Sequence, residues 1–267
     1  MALALAVTLM AGLATSIGGF LGTHERVRTR SVLAVALAFA AGLMITISLL
    51  EVMPAAMAGM LEDHDAVVAL AVVTAVFLIG GALVWVIDRF VPASLNPADI
   101  EGVEDVQSAA DVLTNARLLR SGLLVALLVA LHNLPEGMAT FLAMMRDPTA
   151  GVTLAVAIGI HNIPEGIAVA APVYAATGSR LKAFSWATLS GLAEPLGGVA
   201  GYLLLSLVVP GELFHVTPAL VAGMMVAVSL RELIPAARRY QRRRGQAATG
   251  MAAGAAVMLV SLWLLSL

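Results

Sequence analysis

The chain has 267 residues, 60% of them hydrophobic and only 12% charged, with a mean hydropathy of +0.96 and a net charge of −2. A soluble domain carries about 25% charged residues, so composition excludes one and leaves an all-α polytopic membrane protein; the small net charge adds nothing about partners, and no nucleic acid partner is expected. Cysteine is absent, which removes disulfides and thiolates and leaves nitrogen, oxygen or Met sulfur to hold any metal.

Segments of about 20 apolar residues suffice to cross a bilayer. The sequence predicts eight, at roughly 2–22, 31–59, 66–91, 118–145, 150–175, 182–209, 216–237 and 247–267. The first lacks a basic region ahead of its apolar stretch and reads as a retained helix, with a signal peptide as the alternative. The one long connection, 92–117, holds Pro92, Pro97, Asp99, Glu101, Glu104, Asp105 and Asp111 without apolar periodicity. It reads as a mobile cytoplasmic loop within an otherwise single transmembrane transport domain, residues 1–267. Thirteen of the fifteen Lys and Arg residues lie in or beside four alternate connections, including Arg238, Arg239, Arg242, Arg243 and Arg244. By the positive-inside rule these face the cytoplasm, which places both termini outside the cytoplasm in a multi-pass cell (inner) membrane protein. The Arg cluster reads as an orientation signal with affinity for the anionic lipid bilayer.

Internal repeats organise these segments. Gly12-Leu13-Ala14-Thr15-Ser16-Ile17-Gly18-Gly19 lines up with Gly191-Leu192-Ala193-Glu194-Pro195-Leu196-Gly197-Gly198, and Ser48 to Ala56 with Ser229 to Ala237, at offsets of 179 and 181. The partners stand five segments apart in chain order, so each pair crosses the membrane in opposite directions. The arrangement is a 3+2+3 inverted repeat, segments 1–3 and 6–8, around a central pair 4/5.

The central pair carries the chemistry. His132-Asn133-Leu134-Pro135-Glu136-Gly137 recurs twenty-nine positions later as His161-Asn162-Ile163-Pro164-Glu165-Gly166. Spacings of three and four put His132, Asn133 and Glu136 on one helix face, and His161, Asn162 and Glu165 on another. Both motifs and Glu194 lie midway along their segments, so they meet near the midplane. Carboxylates at that depth are expected to face one another around a cation or water rather than lipid. Pro135 and Pro164 release the carbonyls of Leu131 and Ile160 beside the motifs, and Gly137 and Gly166 admit a neighbouring backbone. Imidazole with carboxylate and amide oxygen suits Zn, Fe, Mn, Co, Ni or Cd, whereas Mg and Ca prefer oxygen alone. Protons compete for the same atoms, so metal uptake is expected to depend on pH.

The paired motifs, the stretch from Gly166 to Ser179 and Gly191-Leu192-Ala193-Glu194 resemble the ZIP (Zrt/Irt-like) metal transporters, most closely their bacterial ZupT branch. The resemblance covers nearly the whole chain. It implies a transporter of zinc and related divalent cations (Fe, Mn, Co, Cd) into the cytoplasm, a homodimer, and no cofactor beyond the transported metal ion. His132, Asn133, Glu136, His161, Asn162, Glu165 and Glu194 would line a binuclear site, with Glu136 and Glu165 bridging. The His-rich loop of many members is missing here, and His in both motifs suits the broader-specificity branch.

Glu51 and its repeat partner Glu232 are expected either as entrance and exit ligands or as locally paired residues. His64, His24 and His215 read as polar turn or interface residues, and the methionines as packing. A metal-selective channel could use the same ligands. An intramembrane metal-dependent hydrolase would carry an asymmetric motif such as His-Glu-x-x-His, which is absent, and no catalytic residue is assigned.

Overall fold

In lipid a helix satisfies its own backbone polar groups, and every regular element among the described residues is helical. The computed structural model describes residues 1–27, 29–90, 112–208 and 215–265. In chain order the elements are α1 (Ala2–Leu21), α2 (Arg30–Ile47), α3 (Met53–Leu61), α4 (Ala66–Phe90), α5 (Val112–Arg146), α6 (Pro148–Thr177), α7 (Arg180–Gly191), α8 (Ala193–Val208), α9 (Thr217–Val228), α10 (Ile234–Tyr240) and α11 (Gln246–Leu265). Two π-helical turns, π1 (Ser48–Val52) and π2 (Ser229–Leu233), join α2 to α3 and α9 to α10.

Six continuous runs are long and apolar enough to cross a membrane: Ala2–Leu21, Arg30–Leu61, Ala66–Val86, Pro148–Thr177, Thr217–Tyr240 and Gln246–Trp263. They match six of the predicted segments, and the segment 118–145 lies within α5. The expected segment 182–209 is corrected: it divides at Leu192 into α7, of 12 residues, and α8, of 16. Pro195 has no N–H to offer the Gly191 carbonyl, so the helical ladder fails there. The expected loop 92–117 is also corrected at its far end, because 112–117 form the first turns of α5. Val112, Leu113, Ala116 and Leu119 already recur at helical spacing. The remainder, 92–111, lies outside the described residues.

Helix ends follow local chemistry. Thr29, Asp147 and Ser179 cap α2, α6 and α7 by accepting N–H bonds in the first turn. Gly178, with φ of 63°, closes α6 in the left-handed conformation. Each π turn precedes a proline, Pro54 or Pro235, and the donor just before that proline reaches back five residues: Met53 N–H to the Ser48 carbonyl and Ile234 N–H to that of Ser229.

Residues matched by offset in the sequence make paired contacts. Ser48 Oγ meets Met225 Sδ and Ser229 Oγ meets Met44 Sδ, both at 3.7 Å. Each partner stands 181 positions from its counterpart. A Cβ on Gly137 would overlap the Glu194 carbonyl, and one on Gly166 would overlap the Thr15 carbonyl. Thr15 and Glu194 are counterparts at the 179 offset, so α1 lies on α6 as α8 lies on α5. Between them, Leu43, Met44, Ile47, Ile158 and Met225 fill the largest buried apolar cluster. Close backbone approach through small residues is how helices pack where lipid offers no hydrophobic drive.

Candidate metal centre

Three buried residues converge between α5 and α6: Glu136, His161 and Glu165 each direct a donor atom to within 4.8 Å of the other two. His161 Nε2 lies 3.1 and 3.2 Å from the two carboxylate oxygens of Glu136. The imidazole and the carboxylate thus lie within hydrogen-bond distance of each other, and the same atoms are ones a divalent ion would take.

The two asparagines adjoin this cluster and are held in matched ways. Asn133 Nδ2 donates to the Ser190 carbonyl at 3.1 Å, and Asn162 Nδ2 donates to the Ala11 carbonyl at 3.0 Å. Ala11 and Ser190 are counterparts at the 179 offset. A carbonyl demands a donor, so both amides are oriented with Nδ2 outward and Oδ1 turned away from the anchor. Asn162 Nδ2 also donates to Glu194 Oε1, which ties the α8 carboxylate to the α6 motif. Both Oδ1 atoms are buried and accept no hydrogen bond. Leaving such an acceptor bare costs about 1–3 kcal/mol, and a coordinated cation removes that cost. The donor set, one imidazole, three carboxylates and two bare amide oxygens, all fully or nearly fully buried, fits a divalent transition metal.

Of the predicted site residues, the fold therefore unites Glu136, His161 and Glu165, with Asn162 and Glu194 bonded to each other beside them and Asn133 anchored on α7. His132 lies on α5 one turn before Glu136, and its side chain is outside the described residues. Glu51 and Glu232 stand apart from the cluster, within π1 and π2 and half-buried.

A cavity of about 280 Å³ opens beside Glu51, with Glu62, Arg146 and Asp147 among its polar walls and Ala139 and Leu154 among its apolar ones. Ala139 is three residues beyond Glu136 and Leu154 seven before His161, so the cavity continues the ligand-bearing faces of α5 and α6. Arg146 donates to His215 Nδ1 at 2.7 Å, which gives His215 a defined partner that its interface position did not foretell. Thr140, four residues past Glu136 and fully buried, has a hydroxyl with no hydrogen-bond partner; its i+4 spacing was the available signal. The anchoring carbonyls of Ala11 and Ser190 carry no side-chain signature at all.

A family model described as ZIP zinc transporter matches residues 101–262. The chain is 44% identical over 263 residues to the zinc transporter ZupT of Chlorobium limicola, covering 98% of each protein. It is 43% identical over 270 residues to the zinc transporter ZupT of Oceanobacillus iheyensis, covering 100% of this chain and 99% of the relative. The zinc transporter ZupT of Corynebacterium efficiens is 44% identical over 264 residues, 98% of this chain and 96% of its own length. These relatives are named as transporters rather than enzymes, and the helices long enough to span a membrane make this a multi-pass membrane protein. By its sequence over almost its whole length, the chain belongs to the ZIP zinc transporter family.

Proposed function

We propose that this chain carries zinc, and with it Fe, Mn, Co and Cd, across the inner membrane into the cytoplasm. The observation that carries the reading is the buried Glu136, His161 and Glu165 cluster, whose donor atoms lie close enough together for one ion to reach all three. One ion is held by Glu136, His161 and Glu165 with His132. A second is held by Asn133, Asn162 and Glu194, and Glu136 and Glu165 bridge the pair near the midplane. An ion entering this centre exchanges water for fixed nitrogen and oxygen donors, and protons compete with it for those atoms.

The architecture of this reading is eight spans in a 3+2+3 inverted repeat with both termini outside. The paired contacts at the 179 and 181 offsets support the repeat, and the connection 92–111 lies in the cytoplasm. Two copies form a homodimer. Glu51, in the cavity wall, is the entrance ligand, and Glu232 in the second π turn is the exit ligand. The break at Leu192 supports a carrier over an open channel, since discontinuous helices beside the ion are the usual element of alternating access.

The test is zinc uptake into sealed proteoliposomes by wild type and by the double variant Glu136→Gln, Glu165→Gln. Saturable uptake by wild type alone is expected. Uptake that never saturates would identify a channel, and equal uptake by the variant would remove the cluster from the path.

A further inference from the structure

We propose that Thr15 is a further ligand of the transported cation, giving a neutral oxygen to the Asn133 side of the centre and favouring oxygen-seeking ions there. The proposal rests on the metal-carrier reading above.

A threonine in an apolar helix ordinarily gives its hydroxyl proton to the carbonyl four residues back. Thr8, Thr46, Thr153, Thr177 and Thr188 all do so here, at 2.7 to 2.9 Å. Thr15 does not: it is fully buried, and its Oγ1 has no hydrogen-bond partner. The reason lies in the site itself. The carbonyl that Thr15 would use belongs to Ala11, and the Asn162 amide already occupies it at 3.0 Å alongside the helical N–H. Anchoring Asn162 has displaced the Thr15 hydroxyl from its local partner.

The repeat says where that hydroxyl has gone. Thr15 is the counterpart of Glu194, as Asn133 is of Asn162 and Ser190 of Ala11. Glu194 adjoins the asparagine that is anchored on the Ala11 carbonyl. Thr15 correspondingly lies against the end of α7, where a Cβ on Gly191 would fall 2.9 Å from its Oγ1. Ser190, which anchors Asn133, is the next residue. Thr15 Oγ1 is thus bare at the end of α7, where the Ser190 carbonyl holds the amide of Asn133, whose own Oδ1 is also bare, and where helical carbonyls collect negative potential. One side of the centre has a charged donor, Glu194, and the other a neutral one, Thr15. Mn2+ depends on oxygen ligands more than Cd2+, which takes more of its binding from imidazole, so loss of the hydroxyl should fall mainly on Mn2+.

The experiment is equilibrium dialysis of Mn2+ and of Cd2+ against the purified full-length protein in detergent, as wild type, Thr15→Val and Thr15→Ser. Valine keeps the shape of threonine, and a melting profile checks that each variant is folded. We expect Thr15→Val to weaken Mn2+ about tenfold, the lower range for a tuning ligand, to change Cd2+ far less, and Thr15→Ser to match wild type. An unchanged ratio of Mn2+ to Cd2+ affinity in Thr15→Val overturns the assignment. So does a Thr15→Ser that falls as far as Thr15→Val, because packing rather than the oxygen would then matter. A wild type that binds neither ion overturns it as well. Binding by wild type without uptake into proteoliposomes refutes the carrier reading alone and leaves the Thr15 comparison standing.

Discussion

Replacing Glu165 by Gln should stabilise the metal-free protein while abolishing its response to zinc. The donor atoms of Glu136 and Glu165 lie within 4.8 Å of each other in a buried setting. With both carboxylates ionised and an effective dielectric constant near 20, their repulsion is at least about 3.5 kcal/mol. Gln keeps the shape of Glu and removes that charge. For wild type, zinc at about a hundred times its dissociation constant should add roughly 2.7 kcal/mol. Thermal unfolding of purified protein in detergent, followed with chelator and then with zinc, reads both effects. The variant should melt several degrees above wild type in chelator and shift little with zinc, whereas wild type should shift clearly upward. A variant that melts below wild type in chelator, or that keeps the full zinc shift, would refute the argument that the two carboxylates are held together by the ion.

Gly137→Ala and Gly166→Ala each drive a methyl group into a backbone carbonyl, of Glu194 and Thr15 respectively. Each should cost about 1–3 kcal/mol as overpacking, seen as a lowered melting temperature with reduced zinc uptake. Asn162→Asp exchanges the donor to Ala11 and Glu194 for an acceptor beside both; uptake should fall at least about tenfold, and uptake within twofold of wild type would show that the anchor is dispensable. Asp147 both caps α6 and lines the cavity. Asp147→Asn should retain the cap and raise the half-saturating zinc concentration only at low ionic strength. Asp147→Ala should in addition lose about 1 kcal/mol of stability, measured by the same melting profile.

Six spans, the paired contacts at the 181 offset and the convergence of Glu136, His161 and Glu165 were legible because each rests on spacing alone: length against bilayer thickness, offset against offset, and i, i+3, i+4 against the helical turn. The division at Leu192 was missed although Pro195 was in plain view, since apolar content averaged along 182–209 stays high across a single broken hydrogen bond. The π turns left no compositional trace beyond Pro54 and Pro235. The end of the acidic connection was set too late because Val112, Leu113 and Ala116 are flanked by polar residues that dilute them. Within the cluster, the side chains that converge could be read from the sequence, but the carbonyls of Ala11 and Ser190 that orient both asparagines could not. Thr15 was visible only as a break in the repeat, and its burial, with a hydroxyl displaced from its own helix, needed the neighbouring elements in place.

The extra residue in each π turn sets a rotational phase. One residue of an α-helix is about 100° of rotation. Before π1, Leu43, Met44 and Ile47 face the largest apolar cluster; after it, Ala56 and Met60 face Ala69 and Val73 on α4. Excising one residue from Ser48–Val52 would restore continuous α-helix and swing Ala56 and Met60 around by a quarter turn, off α4 and toward lipid. The two halves of the Arg30–Leu61 run thus serve different neighbours because the turn between them is deliberately out of step, and Glu51 is carried at the point where the step occurs.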